Sequence, residues 1–175
     1  MALRKIVGID AGYVNFAVCG IATNEAARPY YWVNEALFKG EFSEEKLVHA
    51  IFAWINRPAI RELLTEADEI ILERQMTMKY QAVNHCVRFL YFAKTREVHP
   101  NTIRAFFRLP EKRSAKKKAA VDLVSDHAIL PVKKGKKDDL ADAYLLAMFG
   151  AIESQPWLGK DWQVEQKKRK VLDCT

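Results

Sequence analysis

The 175-residue chain lacks the marks of a membrane or secreted protein. It has no apolar run near the roughly 18 residues that a membrane-spanning helix needs. Its three cysteines are odd in number, widely spaced and without zinc-ligand spacing, which indicates reduced thiols. An apolar run begins almost at Met1, so no room is left for a signal or transit peptide. These absences predict a soluble, intracellular protein.

Signs of covalent catalysis and of internal repetition are also missing. No Ser-His-Asp set stands out, and Cys19 falls inside a strand pattern rather than in an activating environment. No repeat interrupts the chain, and its length suits one domain with a substantial core. We therefore expect one domain over residues 1–152 and a polar, basic tail over residues 153–175.

The charge is unbalanced in favour of lysine and arginine. A formal net charge of +6 favours a polyanionic partner. Solvated faces are the usual alternative for such runs, but together with the acids described below we favour contact with a DNA backbone. A further run, Lys167–Lys170, fits a DNA-binding arm, a localisation signal or simple solubility. The predicted DNA-binding residues of the two main clusters are Arg113, Lys116, Lys117, Lys118, Lys133, Lys134, Lys136 and Lys137.

The opening of the chain pairs an apolar strand with an acid. The run from Ile6 to Ile9 ends in Asp10, and Gly12 follows where the chain turns. A second apolar run over residues 16–22 predicts an antiparallel partner strand. A turn-forming aspartate explains Asp10 equally well by itself. The same device recurs later, where a strand over residues 68–75 carries Glu73 at the end of its apolar part.

The remaining patterns alternate between strands and helices, which predicts an α/β fold with a mixed sheet flanked by helices. A third strand is expected over residues 29–40, irregular around Asn34 and Glu35. Residues 76–80 are interpreted as a loop and residues 103–109 as strand or loop. Helices are predicted over residues 43–56, 59–66, 81–96, 112–127 and 138–152, with a short strand at residues 97–99.

The last helix begins with three acids. Asp139 and Asp142 are three residues apart, and Asp138 and Asp142 four apart, so they can share one helix face. Helix capping accounts for Asp138 or Asp139 but poorly for Asp142, which adjoins an apolar run. Carboxylates of this kind suit Mg²⁺ or Mn²⁺, and two such ions can promote phosphodiester cleavage. A basic protein with a cluster of acids therefore suggests a metal-dependent nuclease.

The order of these acids resembles the RuvC branch of the ribonuclease H-like superfamily. Ile9-Asp10-x-Gly12-x-x-Asn15, the segment from Ile71 to Gln75, and Lys137-Asp138-Asp139-x-Ala141-Asp142 are similar to the poxvirus and mitochondrial Holliday junction resolvases. The resemblance covers roughly residues 4 to 150 and implies catalytic, metal-binding roles for Asp10, Glu73, Asp139 and Asp142. Asp138 does not match the family's pair and is kept as an auxiliary acid.

The same resemblance implies a ribonuclease H-like fold with a five-stranded mixed sheet. It also implies a homodimer and two Mg²⁺ ions, with Mn²⁺ as a substitute. The implied reaction is hydrolysis that leaves a 5′-phosphate and a 3′-hydroxyl, in paired, symmetrical nicks of four-way DNA junctions. Such an enzyme would act in DNA recombination and repair, or in resolving replication concatemers.

Three alternatives remain beside a junction resolvase. A less specific nuclease of the same fold would act on branched DNA or RNA, and an inactive DNA-binding module would share the basic surface. An actin-like phosphotransferase is disfavoured, because the chain is too short for two lobes and has no second glycine-rich loop.

Further residues have a predicted role in DNA contact or in dimerisation. Arg74 and Gln75 follow the second acid directly and are expected to face DNA. Phe106 and Phe107 either stack on opened bases or, more simply, pack in the core. The helix over residues 81–96 has apolar residues on more than one side, which suits burial in a dimer.

Overall fold

The computed structural model describes residues 3–12, 16–23, 27–37, 43–130, 137–159 and 162. Its strands are β1 (Lys5–Ala11), β2 (Phe16–Ala22), β3 (Pro29–Glu35), β4 (Glu69–Glu73) and β5 (Thr95–Val98). Its helices are α1 (Glu44–Ile55), α2 (Pro58–Glu66), α3 (Met78–Leu90), α4 (Pro100–Phe106), α5 (Arg113–Ser125) and α6 (Lys137–Ser154). A short 3₁₀ turn, Phe92–Lys94, precedes β5.

The strands form one mixed sheet of five in the order β3-β2-β1-β4-β5. β1 and β2 pair antiparallel, as do β2 and β3, whereas β1, β4 and β5 run parallel. The parallel strands are joined through helices, as parallel pairing requires. The predicted α/β fold with a five-stranded mixed sheet is confirmed.

Each face of the sheet is covered by helices. Ile6 and Ile71 point to one face, where they pack with apolar residues of α4, α5 and α6. Val7 and Leu72 point to the other face, where α1, α2 and α3 pack. Because side chains alternate along a strand, Asp10 and Glu73 belong to the first of these faces, called here the α6 face.

α6 crosses the sheet at very short range over a glycine. A Cβ atom placed at Gly8 would lie 2.1 Å from the Ala143 carbonyl oxygen and 2.6 Å from the Ala147 nitrogen. Only glycine therefore lets the helix backbone approach β1 this closely. This contact fixes the height of the α6 N-terminal turns above the end of β1.

We expect Gly8→Ala to weaken both stability and any activity of the acids, because the added methyl must push a helix backbone away from β1. Overpacking of this kind costs about 1–3 kcal/mol. Gly20→Ala is the matched control, since a Cβ there would meet the ends of the Leu63 and Tyr30 side chains, which can move. Thermal unfolding of the two variants checks this. Equal stability of Gly8→Ala and wild type would contradict it.

Several predicted element bounds were wrong. β3 is continuous through Asn34 and Glu35, and the irregular register lies instead between Gly20 and Ile21 of the neighbouring strand. Residues 38–40 of the predicted third strand lie outside the described residues. The predicted loop at residues 76–80 is in part the first turn of α3, and the helix expected to reach residue 96 stops at Leu90.

Residues 103–109, expected to be strand or loop, are mostly helical. α4 begins at Pro100, and the His99 Nδ1 atom accepts a hydrogen bond of 3.1 Å from the Asn101 N–H. Proline at the first helical position and a side-chain acceptor before it are helix-start signals, which here outweigh the strand preference of the two phenylalanines. Phe106 is 40% exposed and Phe107 is buried.

The chain beyond Ile152 continues the same core as far as the structure describes it. α6 runs to Ser154, and Leu158 and Trp162 are buried among residues of α4, α5 and α6. The Trp162 ring stacks on His127, with 3.9 Å between ring centroids. Lys167–Lys170 lies outside the described residues. Among the helices the structure describes, none is long and apolar enough to span a membrane.

Candidate active site

Asp10 and Glu73 lie side by side at one edge of the sheet. They follow the last pair of the parallel ladder between β1 and β4, which joins Ile9 to Leu72. Both belong to the α6 face, and burial and the charge of Glu73 both raise the pKa of Asp10. The sheet therefore brings two acids to one point of the fold.

The N-terminal turns of α6 bring two more acids to the same point. Asp139 and Asp142 both repel the charged form of Asp10, and Asp142 also faces Glu73. The four predicted acids thus converge from three elements, although they are far apart in the sequence. Asp138, the predicted auxiliary acid, lies one residue before this group.

Burial dominates the titration of the cluster. Burial, then repulsion from Glu73, Asp142 and Asp139, raises the pKa of Asp10 well above its usual range, against a small opposing effect of Lys116. Burial also raises the pKa of Glu73, and it raises the pKa of Asp142 to about 6. Carboxyls with such raised pKa values are costly to ionise together, and a bound cation is one way to offset that cost.

Lys116 places a positive charge beside the cluster. From the first turns of α5 its ammonium group lowers the pKa of Asp10, Glu73 and Asp142. The sequence predicted this lysine as a DNA contact, but its position beside the acids had no sequence signal. Its positive charge therefore offsets part of the negative charge that these acids carry when they are ionised.

Asp138 has a different environment from the other acids. Burial acts to raise its pKa, but an ion pair and hydrogen bond with Lys117 hold the pKa below its usual value. The pair fastens the start of α6 to α5. In this arrangement Asp138 and Lys117 neutralise one another, so the geometry gives both a role in holding the two helices together.

No protein-family model and no curated protein matches the sequence. Solved structures do match: the yeast mitochondrial Holliday junction resolvase Ydc2 has a TM-score of 0.65 and 16% identity, over 94% of this chain and 86% of that one. The chain has the fold of the Holliday junction resolvases.

Two other solved structures share this resolvase fold. Thermus thermophilus RuvC, in complex with a Holliday junction substrate, has a TM-score of 0.61 at 15% identity, over 89% of this chain and 97% of RuvC. The fowlpox virus Holliday junction resolvase has a TM-score of 0.59 at 16% identity, over 86% of this chain and 99% of that one. The likeness therefore spans nearly the whole of each chain, which confirms the fold class expected from the motifs.

The donor chemistry of the site fits a hard divalent cation. Carboxylate oxygens are the ligands that Mg²⁺ prefers, and Asp10, Glu73 and Asp142 carry pKa values raised by burial. The side chains are not gathered into a finished cage: in the described part of the chain, no three His, Cys, Asp or Glu side chains stand so that they could hold an ion.

The predicted DNA-binding residues have varied surroundings in the resolvase fold. Arg74, Arg113, Lys118 and Lys137 are exposed. Gln75 is half-buried and hydrogen-bonds to Glu73. Lys133, Lys134 and Lys136 lie outside the described residues.

The two phenylalanines predicted either to stack on bases or to pack in the core do mainly the latter. Phe107 is 3% exposed and packs against Trp162. Phe106 contacts Phe149 edge-on, with 4.9 Å between ring centroids, although part of its ring is open to solvent.

Sequence reasoning missed two residues near the acids. His99 caps α4 and lowers the pKa of Glu73. Its position just before Pro100 is a helix-start signal that could have placed it. Asn84 is fully buried on α3, and its amide donates a 2.9 Å hydrogen bond to the Glu73 carbonyl. No pattern in the sequence around Asn84 predicts this contact.

A cavity of about 460 Å³ lies away from the acids. Its lining includes Pro29, Trp32 and His127. β3 residues near Pro29 pair with β2 residues near Ile21, whereas Asp10 pairs with Ala17 at the other end of the sheet. This cavity is therefore separate from the acid cluster.

Proposed function

We propose that this protein is a metal-dependent endonuclease that resolves four-way DNA junctions by paired, symmetrical nicks. The observation that carries the proposal is the convergence of Asp10, Glu73, Asp139 and Asp142 at one edge of the sheet, with a lysine facing them. The resolvase fold supports it, since the similar proteins are named as Holliday junction resolvases. In this role the protein acts in DNA recombination and repair or in the resolution of replication concatemers.

The four acids are the proposed ligands of two Mg²⁺ ions, or of Mn²⁺ in their place. Bound there, such ions would activate water and stabilise the leaving oxygen of a phosphodiester. Asp10, the central acid of the cluster, faces all three others. Lys116 places a positive charge beside the acids, which favours entry of a phosphate into a site that would otherwise repel it.

The DNA partner is inferred from the positive charge of the chain and from the solved structures that share its fold. Structures of Thermus thermophilus RuvC and of the fowlpox virus resolvase contain Holliday junction DNA. In this chain Arg74 directly follows the Glu73 acid, and Arg113 and Lys118 lie one turn before and two residues after Lys116. Such residues would bind DNA phosphates through their charge. The preference for a junction would then come from the shape of the DNA.

The proposed assembly is a homodimer through the C-terminal end of α3. Phe89 is 82% exposed, Leu90 43% and Phe92 75%, which makes a run of large apolar side chains on the face of the sheet opposite the acids. Apolar surface of this kind is expected at an interface rather than in water. A two-fold dimer would present two sites to the two strands of a junction, which is itself two-fold symmetric.

We expect Phe89→Asp to convert a dimer into a monomer, because a charge cannot be buried in an apolar contact without a partner. Size-exclusion chromatography with light scattering measures the mass of each. Ile129→Asp is the control, since Ile129 is 92% exposed after α5, on the opposite face of the sheet. A wild-type monomer, or an unchanged mass for Phe89→Asp, would contradict this assembly.

Two other functions are compatible with the same residues, and they differ from a resolvase in the substrates that are cut. Wild-type protein would be incubated in Mg²⁺ with a four-way junction, a flap, a linear duplex and an RNA–DNA hybrid of matched sequence. Nicks in the junction alone support a resolvase. Equal cutting of the other substrates would indicate a less specific nuclease, and binding without cutting would indicate a DNA-binding module.

A further inference from the structure

The segment that carries Glu73 lies where the central strands separate. Pairing between β1 and β4 ends at Ile9 and Leu72, one residue before the two acids. On the other side of β4, Glu73 pairs with Val98, the last residue of β5, and the Arg74 N–H donates to the Val98 carbonyl at 2.8 Å. Beyond this point the ladder offers no further partner from β1, so the backbone around Glu73 needs support from elsewhere.

Asn84 supplies that support from α3. Its side chain is fully buried, and its Nδ2 atom donates to the Glu73 carbonyl at 2.9 Å and to the Glu97 carboxylate at 3.1 Å. The neighbouring Val83 and Val87 are buried in the apolar core. A buried amide is costly unless it is hydrogen-bonded, so an apolar residue would suit this position if packing were its only role.

The turn of α3 before Asn84 holds the same segment at a second point. The Gln81 Nε2 atom donates to the Gln75 carbonyl at 3.2 Å. The Gln75 Nε2 atom in turn donates to the Glu73 carbonyl at 3.5 Å. Two successive turns of one helix therefore fix residues 73–75, at the main chain before and after Arg74.

We propose that Asn84 is a positioning residue for Glu73, assisted by Gln81. By fixing the main chain where the sheet ends, it sets the direction in which the Glu73 carboxylate enters the acid cluster. This inference rests on the proposed function for its effect on metal binding, but the restraint on residues 73–75 stands apart from it. Groups that orient metal ligands typically change metal affinity or activity about 10–100-fold when they are replaced.

The test replaces Asn84 by leucine, which has a similar volume and no hydrogen-bonding group. We expect faster amide hydrogen exchange in the peptide that covers residues 73–77. The gain in Tm on adding Mg²⁺ should shrink, and the Mg²⁺ concentration for half-maximal nicking should rise about tenfold or more. Junction affinity measured in chelator should stay within about twofold of wild type, because no DNA-facing group changes.

A matched control removes hydrogen bonds of the same kind away from the acids. The Lys94 Nζ atom donates to the Thr65 and Ala67 carbonyls at 2.6 and 2.9 Å, near the start of β4. Lys94→Met is expected to lower Tm with no change in the Mg²⁺ response. Gln81→Met is a second, milder variant that should move every readout in the same direction as Asn84→Leu, and it serves if the leucine variant does not fold.

The outcomes separate the two proposals. Wild-type exchange at residues 73–77 in Asn84→Leu, or the same Mg²⁺ response as Lys94→Met, would overturn the positioning role. A wild-type protein that neither nicks junctions nor gains Tm with Mg²⁺ would refute the proposed function instead. In that case the exchange measurement still decides whether Asn84 holds the Glu73 segment.

Discussion

Replacing Asp10 by asparagine is expected to abolish junction nicking and at the same time to stabilise the protein in chelator. The loss of activity should exceed about a thousandfold, the upper end of what removing one electrostatic group from a transition state costs. Stability should rise at neutral pH, because burial and repulsion from three acids raise the pKa of Asp10, and asparagine is its permanently neutral counterpart. Nicking rates and thermal unfolding in EDTA measure the two effects.

The control for this variant is an exposed carboxylate of the same type. Asp122 lies on the solvent side of α5, and Asp122→Asn should leave both nicking and Tm nearly unchanged. Junction binding in chelator should survive in both variants. Nicking by Asp10→Asn within tenfold of wild type would rule out its proposed place at the centre of the reaction.

In chelator, the free energy of unfolding is expected to fall as pH rises from about 4 to about 6. Burial, with repulsion from Glu73 and Asp138 set against Lys116 and Lys117, raises the pKa of Asp142 from 3.8 to about 6. The folded protein therefore keeps a proton that the unfolded chain has released, and its stability is lost as pH rises through the folded pKa. The shift of Asp142 corresponds to about 3 kcal/mol, or about 6–12 °C in Tm.

Asp10 and Glu73 also make the protein less stable as pH rises, whereas Asp138 does not contribute in this pH window. The raised pKa values of Asp10 and Glu73 add to the loss of stability. The lowered pKa of Asp138 acts below its usual value of 3.8, which lies outside this window. Tm measured against pH in EDTA tests the trend, and Mg²⁺ should reverse it. Asp142→Asn should flatten the curve, and a Tm that rises between pH 4 and 6 would contradict the arrangement of the acids.

The fold was predictable wherever local signals agreed with the tertiary structure. The second apolar run was predicted over residues 16–22, and β2 has those bounds because its buried side chains make the run nearly continuous. Asp10 and Glu73 were placed at strand ends because each interrupts an apolar strand. Both acids lie close to α6 because Gly8 lets that helix approach β1. The sequence does not show this role of Gly8, which follows from the 2.1 Å between the Ala143 carbonyl oxygen and a Cβ atom placed at Gly8.

The wrongly placed element bounds have one cause. The sequence prediction gave more weight to the residue composition of each segment than to the signals at its ends. The apolar spacing of α3 continues beyond Leu90, although the helix ends there. In the turn that follows, Lys94 donates to the Thr65 and Ala67 carbonyls, which are more than 25 residues away in the sequence. Lys116 and Asn84 illustrate the same limit at the site, because their partners come from other elements.

The measurement that tests the central claim most directly is cleavage of a labelled four-way junction and a matched linear duplex in Mg²⁺, in EDTA, and after Mg²⁺ is restored. Asp139→Asn would be run beside wild type. The proposed site predicts paired, symmetrical nicks in the junction only, lost in EDTA, regained with Mg²⁺ and absent in the variant. Junction binding without nicks under every metal condition, or full cleavage by Asp139→Asn, would contradict a metal-dependent nuclease built on these acids.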